Sequence, residues 1–351
     1  MFYKKLKNSL NCFIVALAAT LMFSCTNSKK MNVSINKYPD VKPIEITPLF
    51  LGPPTHEYFE FVPRTDELLE ELFDNMSKDG IKMVLLMGGW EETVFYPSKI
   101  LKNPCKIDWY AKAFDLADKH GMEVVLHGVP YKFNDLFTGK KWDPKEELEM
   151  EKKIYNELND LYGNRKNFWG WYVPHEAGDR THRGDIMILL RELPEFLKKM
   201  TPNKKVAYAP WFTSKITVGE NDATTPAQCA ANWDSMLKEI NGIDICLFQD
   251  TTAPEDEISE WYAAVAPVFE KHGIELWSVA ELFPRFQNKP GIDLFRSVSF
   301  EYLMEKMKTA NPYVKKIACW EYETHLNPKS NNPGAKELNE KYREWIKTRN
   351  Q

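Results

Sequence analysis

Two glutamates stand where paired acid chemistry could occur. Glu176 follows the apolar run 168–173 after only Pro174 and His175, and Glu281 follows the apolar run 274–280 directly. Cleavage of a glycosidic bond needs one carboxyl to protonate the departing oxygen. A second must attack or stabilise the cationic sugar carbon. An isolated glutamate is ordinarily a solvated charge or an ion-pair partner, but each of these terminates a strand-like stretch. Glu91, Glu92, Asp250, Glu321 and Glu323 lie at comparable places and could replace either member, Asp250 foremost.

The residues around these acids suit a sugar. Trp90, Trp211 and Trp320 follow or close apolar runs, where their rings could stack on pyranose C–H faces. His127 and His175 could each hydrogen-bond a sugar hydroxyl or hold a carboxylate in position; either could equally be structural. Trp169, Trp171 and Trp277 lie inside the runs and read as core, Trp171 being the most ambiguous. Tyr131 and Trp142 belong to a long loop, 130–143, that could wall a cleft.

These positions gain meaning from the elements that carry them. Strand candidates occupy 44–51, 81–87, 122–127, 168–173, 206–211, 243–248, 274–280 and 314–320. Amphipathic stretches follow at 65–79, 107–120, 144–162, 184–200, 226–240, 256–272, 292–309 and 335–347. In the first of these, Leu68, Leu69, Leu72, Phe73 and Met76 share one helical face. Gly80, Gly121 and Gly273 each join an amphipathic stretch to the next strand, the recurrent join of a parallel βα array. Eight such units without a long linker predict a single-domain (β/α)8 TIM barrel over 41–351. A doubly wound open sheet fits less well, because Gly52-Pro53-Pro54 stands where a phosphate loop would need glycines and backbone N–H groups. In a barrel, chemistry gathers at the carboxyl ends of the strands. Strands four and seven would then set Glu176 and Glu281 across the axis from one another.

The 351 residues include 46 Lys+Arg and 50 Asp+Glu, a net charge of −4. That balance gives no support for nucleic-acid binding, which needs concentrated positive charge. A hydrophobic fraction of 43% with 27% charged residues excludes a disordered chain or a multi-span membrane protein as a description of the whole. Residues 1–24 read as a signal peptide: Lys4, Lys5 and Lys7 precede an apolar run that ends at Ser24-Cys25. The run 21–25 resembles a bacterial lipobox, with Cys25 as the lipidated residue and 25–40 as a polar tether. Cleavage there removes three lysines and no acid, taking the net charge from −4 to −7. The protein is expected at the cell envelope, touching membrane only through this anchor, or otherwise secreted. Cys105, Cys229, Cys246 and Cys319 lack CxxC spacing and are expected as buried thiols.

Glutamates ending strands four and seven, with Trp320 closing strand eight, resemble clan A of the glycoside hydrolases. The resemblance implies Glu176 as acid/base, Glu281 as nucleophile and Trp320 as the platform beneath the cleaved sugar. The clan has Asn before its strand-four Glu; His175 stands there in this chain, which removes the usual contact to the sugar 2-hydroxyl. The segments 168–176, 247–250 and 275–281 resemble a family of bacterial lipoproteins that carries a domain-of-unknown-function label and is described as glycosidase-like. Phe248 and Thr251 depart from its pattern. The expected partner is an oligo- or polysaccharide, probed by Trp90, Glu91, His127, His175, Trp211, Gln249, Asp250, Trp320 and Glu321, with no cofactor and no metal. Two alternatives remain open: a non-catalytic glycan-binding lipoprotein, and a metal-dependent barrel hydrolase or isomerase using His127, His175, Glu176, Asp250 and Glu281. No HxH or HExxH spacing supports the metal.

Overall fold

The computed structural model of the chain describes residues 37–51, 65–88, 93–138, 140–180, 182–284 and 296–349. The expected signal peptide, Cys25, Gly52-Pro53-Pro54, Trp90, Glu91 and Glu92 lie outside these residues.

Eight parallel strands close into one barrel: β1 (Ile44–Leu49), β2 (Met83–Leu86), β3 (Glu123–His127), β4 (Phe168–Val173), β5 (Lys205–Tyr208), β6 (Ile245–Gln249), β7 (Glu275–Glu281) and β8 (Ile317–Trp320). Each pairs with its neighbours in chain order, and β8 returns to β1 through Ile44↔Ile317 and Ile46↔Ala318. The expectation of a (β/α)8 barrel holds, and the open sheet is excluded. The main helices are α1 (Asp66–Lys78), α2 (Trp109–Lys119), α3 (Pro144–Tyr162), α4 (Arg183–Met200), α5 (Pro226–Leu237), α6 (Ile258–Lys271), α7 (Phe300–Ala310) and α8 (Ala335–Arg349). Gly80, Gly121 and Gly273 sit at φ of 90°, 68° and 70°. These left-handed turns end α1, α2 and α6 and send the chain into the next strand.

Several boundaries move inward. The fifth strand stops at Tyr208, short of Trp211, because Pro210 has no N–H for the ladder. Trp211 keeps single bridges to Gly178 and Gln249. Conversely, β6 and β7 run through Gln249 and Glu281, so the strand backbone itself fixes those two residues. Of the stretch expected as a helix from 292, residues 292–295 lie outside the described residues and α7 begins at Phe300, where the Ser299 side chain accepts from Tyr302 N. The long loop after β3 contains a short helix, Phe133–Thr138, and residues 93–94 and 103–104 form a small parallel ladder after β2.

Side chains sort by strand alternation into two apolar layers. Ile46, Met83, Leu85, Val125, Tyr172, Ala207, Leu247 and Val279 fill the barrel interior. Leu86, Val124, Leu126, Trp171, Val206 and Phe248 pack in the outer layer, which the helices cover. Trp171 is fully buried there, with Phe168 and Tyr155 at ring separations of 4.7 and 5.4 Å, and its indole N–H donates to Thr201 Oγ1. Trp277 is buried and Trp169 half-buried in the interior layer, their rings 6.0 Å apart. Burial of one such large side chain contributes about 1.5–3 kcal/mol. The interior is therefore a solid core, and open space must lie above it, at the carboxyl ends of the strands. Cys105, Cys229, Cys246 and Cys319 are free thiols, the last three buried.

Candidate active site

Glu176 hangs from the carboxyl end of β4. Tyr172, four residues earlier, shares its inward direction because strand side chains alternate. The Tyr172 hydroxyl donates to Glu176 Oε1 at 2.5 Å, and the Gln249 side-chain amide from β6 donates to Oε2 at 2.6 Å. Just beyond, Tyr208 at the end of β5 steadies the chain by accepting from Ala177 N at 3.0 Å. Both carboxylate oxygens of Glu176 are thus held, one from its own strand β4 and one from β6, while the residue stays partly exposed. The packed walls around the carboxyl push its pKa up to about 7, and the negative charge of Glu281 adds to the rise. The bonds from Tyr172 and Gln249 favour the ionised form and hold it back.

Glu281 is the last residue of β7 and is largely buried. The Thr251 hydroxyl donates to its Oε2. Its backbone is gripped on both sides by one buried ion pair: Asp250 Oδ1 accepts from Glu281 N at 3.2 Å, and Lys306 Nζ donates to Glu281 O at 2.6 Å. Lys306 and Asp250 meet at 3.1 Å. Desolvation raises the Asp250 pKa to about 6, Glu281 adds to that rise, and Lys306 opposes it. Breaking such a pair leaves an uncompensated buried charge, at a cost of about 3–5 kcal/mol. Asp250, a rival for one catalytic place, is thus almost wholly buried and bound to Lys306 and to the backbone of Glu281.

The other candidates divide by exposure. Trp211, beyond the end of β5, and Trp320, the last residue of β8, are half-buried, and Trp320 stands edge-on to Phe50 at 5.7 Å. The Trp320–Glu321 peptide bond is cis. Glu321 is largely buried and accepts from Thr324 N through both oxygens, so it caps the short helix Tyr322–His325. Burial, with the Glu323 charge added, raises its pKa to about 7. His127 is buried and stacks on Tyr172 at 5.1 Å, and its Nδ1 contacts Gly128 O. Desolvation is the main cause that lowers its pKa to about 3, so the ring is neutral at pH 7. His175, expected beside the sugar, is fully buried instead, and its Nε2 bonds Glu147 Oε1 at 3.0 Å.

Glu147 explains that turn. Its carboxylate also accepts from Tyr131 N and Lys132 N, both at 2.7 Å, and from Trp142 Nε1 at 3.2 Å. One buried side chain on α3 therefore ties down the loop after β3 and the residue next to Glu176. Among the described residues, Glu147, Glu151 and His175 are the group that could present metal-ligand atoms, all within 4.8 Å of one another. Four donors already occupy the two Glu147 oxygens, so the chemistry of the set fits an internal anchor better than an ion cage. Burial raises the Glu151 pKa well above the ordinary value, which favours its neutral form.

Tyr172, Thr251, Lys306 and Glu147 are the residues that sequence reasoning missed. Tyr172 carried a usable signal, an even spacing from Glu176. Lys306 carried a weaker one, since it lies beside Met307 on a helix whose buried face includes Leu303 and Met304.

Residues 64–336 match the model of DUF4434, a domain of unknown function. Comparison of the sequence with curated proteins returns no match. Among solved structures, the chain is similar to a proposed α-L-fucosidase from Bacteroides thetaiotaomicron VPI-5482, with a TM-score of 0.79 and 21% identity over 93% of this chain and 99% of that one. It is also similar to the endo-1,4-β-D-mannanase of Thermotoga petrophila RKU-1, with a TM-score of 0.57 and 12% identity over 88% and 99% of the two chains. A third similar structure is a GH5_18 protein of Streptomyces cattleya in complex with Manβ1-4GlcNAc, with a TM-score of 0.53 and 14% identity over 86% and 81%. At these identities the likeness concerns the fold.

Proposed function

This chain belongs to the DUF4434 family, and from that premise we propose that it is a glycoside hydrolase acting on a β-linked glycan with retention of configuration. The observation that carries the reading is Glu176: a carboxyl held by Tyr172 and Gln249 at the end of β4, its proton retained up to about pH 7 by burial and by the charge of Glu281 on β7. A general acid must still hold its proton near the working pH, and the raised pKa of Glu176 meets that need.

In the first step Glu176 gives its proton to the glycosidic oxygen as Glu281 attacks the anomeric carbon. The carbon–oxygen bond breaks, the leaving sugar departs as an alcohol, and a glycosyl ester forms on Glu281. In the second, the Glu176 carboxylate takes a proton from water, whose oxygen attacks the same carbon and releases Glu281. One water is consumed and Glu176 ends protonated as it began. The grip of Asp250 and Lys306 on the Glu281 backbone limits the movement of the nucleophile between the two steps. Trp211 and Trp320 supply the stacking faces. A lipid on Cys25 would hold the enzyme at the cell envelope.

The test is a screen of neutral and charged glycans with wild type, Glu176→Gln and Glu281→Gln. Each variant is expected to lose at least about 100-fold in kcat on a glycan that the wild type cleaves. Full activity in both variants overturns the proposal.

A further inference from the structure

A concavity opens on the end of the barrel that carries Glu176. It has a volume of about 360 Å³ and is lined by Asp179, Arg180, Arg183, Thr224, Gln228 and Asn232, with two alanines. That volume lies within the roughly 300–1,000 Å³ usual for small-ligand sites. It is built from the loop that follows β4, the first turn of α4 and the start of α5. Asp179 is three residues past Glu176, and the intervening Gly178 bridges to Trp211, so one stretch of chain joins this cleft to the candidate site.

The two arginines set its character. Arg180 is exposed and Arg183 half-buried. Arg180 donates to Asp222 O at 3.4 Å and Arg183 to Ser235 Oγ at 3.1 Å, both neutral acceptors. Among the described residues neither guanidinium is paired with a carboxylate, whereas Arg165, Arg191 and Arg343 are paired with Asp115, Glu239 and Asp79. The one acid lining the cleft, Asp179, is fully buried and committed to the protein: Asn232 Nδ2 donates to it at 2.7 Å and Thr224 Oγ1 at 3.5 Å. Arg183 opens α4, so the positive end of a helix lies at the same place. With two arginines and one aspartate the lining carries a net charge of +1 in a chain of net charge −4, although Asp185 also lies in the first turn of α4, and the guanidiniums offer planar, multi-donor geometry. Such geometry fits carboxylate and sulfate oxygens.

We infer that the cleft of Arg180 and Arg183 is a subsite for an anionic substituent of the glycan, a hexuronate carboxylate or a sulfate ester. The inference rests on the hydrolase reading only for the ligand being a glycan; the charge preference follows from the cleft.

The experiment measures binding of tetrasaccharides to the full chain by calorimetry: an oligogalacturonate, a sulfated galactan fragment and a neutral mannotetraose. Wild type and Glu176→Gln are compared with the Arg180→Gln/Arg183→Gln double variant, whose melting temperature verifies folding. At least one charged probe is expected to bind Glu176→Gln about tenfold or more tighter than the neutral one. The double variant should lose that ratio and most of its salt dependence. Whichever charged probe shows the preference separates carboxylate from sulfate. Equal binding of charged and neutral probes, or an unchanged ratio in the double variant, overturns the subsite. Charge-selective binding without turnover by wild type would sustain the subsite while the hydrolase reading falls; turnover without charge preference would do the reverse.

Discussion

At the scale of the residue, Glu176 lies between opposing influences. Crowding and the Glu281 charge favour its neutral form, while the Tyr172 hydroxyl and the Gln249 amide favour the carboxylate. If Glu176 delivers the proton, activity falls as pH rises through about 7, because the acid is then ionised. Tyr172→Phe removes a bond made to the charged form, so the Glu176 pKa rises further. The alkaline limb of the pH–kcat/KM profile is then expected to move to higher pH. A limb that stays in place or moves down would separate that limb from Glu176. The same even spacing that aligns Tyr172 with Glu176 makes this contact legible in sequence. The tie between Gln249 and Glu176 is not, since it requires β6 to lie at the right height.

At the scale of the element, the segment after β3 is shaped from beneath by α3. Glu147 lies in the first turn of that helix, where a negative charge is favoured by the dipole, and faces inward instead of toward solvent. It receives the amides of Tyr131 and Lys132, the indole of Trp142 and the ring of His175. Glu147→Ala leaves these buried donors without an acceptor. A loss of about 3–5 kcal/mol is expected, read as a lowered urea midpoint. Native-state hydrogen exchange at the Tyr131 and Lys132 amides should speed up more than at the β3 amides. Uniform acceleration across β3 and this loop would mean that Glu147 supports the whole barrel and has no special hold on the loop. The sequence places Glu147 on a helix and His175 beside Glu176, but their contact spans 28 positions and no periodicity reports it.

At the scale of the whole molecule, closure is the decisive event. β1 must meet β8, and the last helix locks that seam: Tyr342 Oη accepts from Ile44 N at 2.8 Å. The buried Asp79 collects Arg343, Asn339 and Tyr322 from the C-terminal part of the chain. The proposed lipid anchor also belongs to this scale, as it concerns where the barrel would work. Growth of a bacterial host with a tagged fatty acid should label the wild-type protein, and Cys25→Ala should abolish the label. Equal labelling of the two proteins would remove the anchor and leave a secreted barrel.

The order of the eight βα units, their glycine joins and the placing of Glu176 and Glu281 at the ends of β4 and β7 were all determined by the sequence alone. These features rest on local rules, a period of two or 3.6 and a turn that glycine permits. Only the tertiary structure decided that His175 turns inward to Glu147, that Asp250 answers Lys306, and that Arg180 and Arg183 share one cleft. Each of those outcomes depends on which distant charge or void packing brings within about 3–4 Å. That distance is set by the closing of the barrel, so no segment carries it in its own composition.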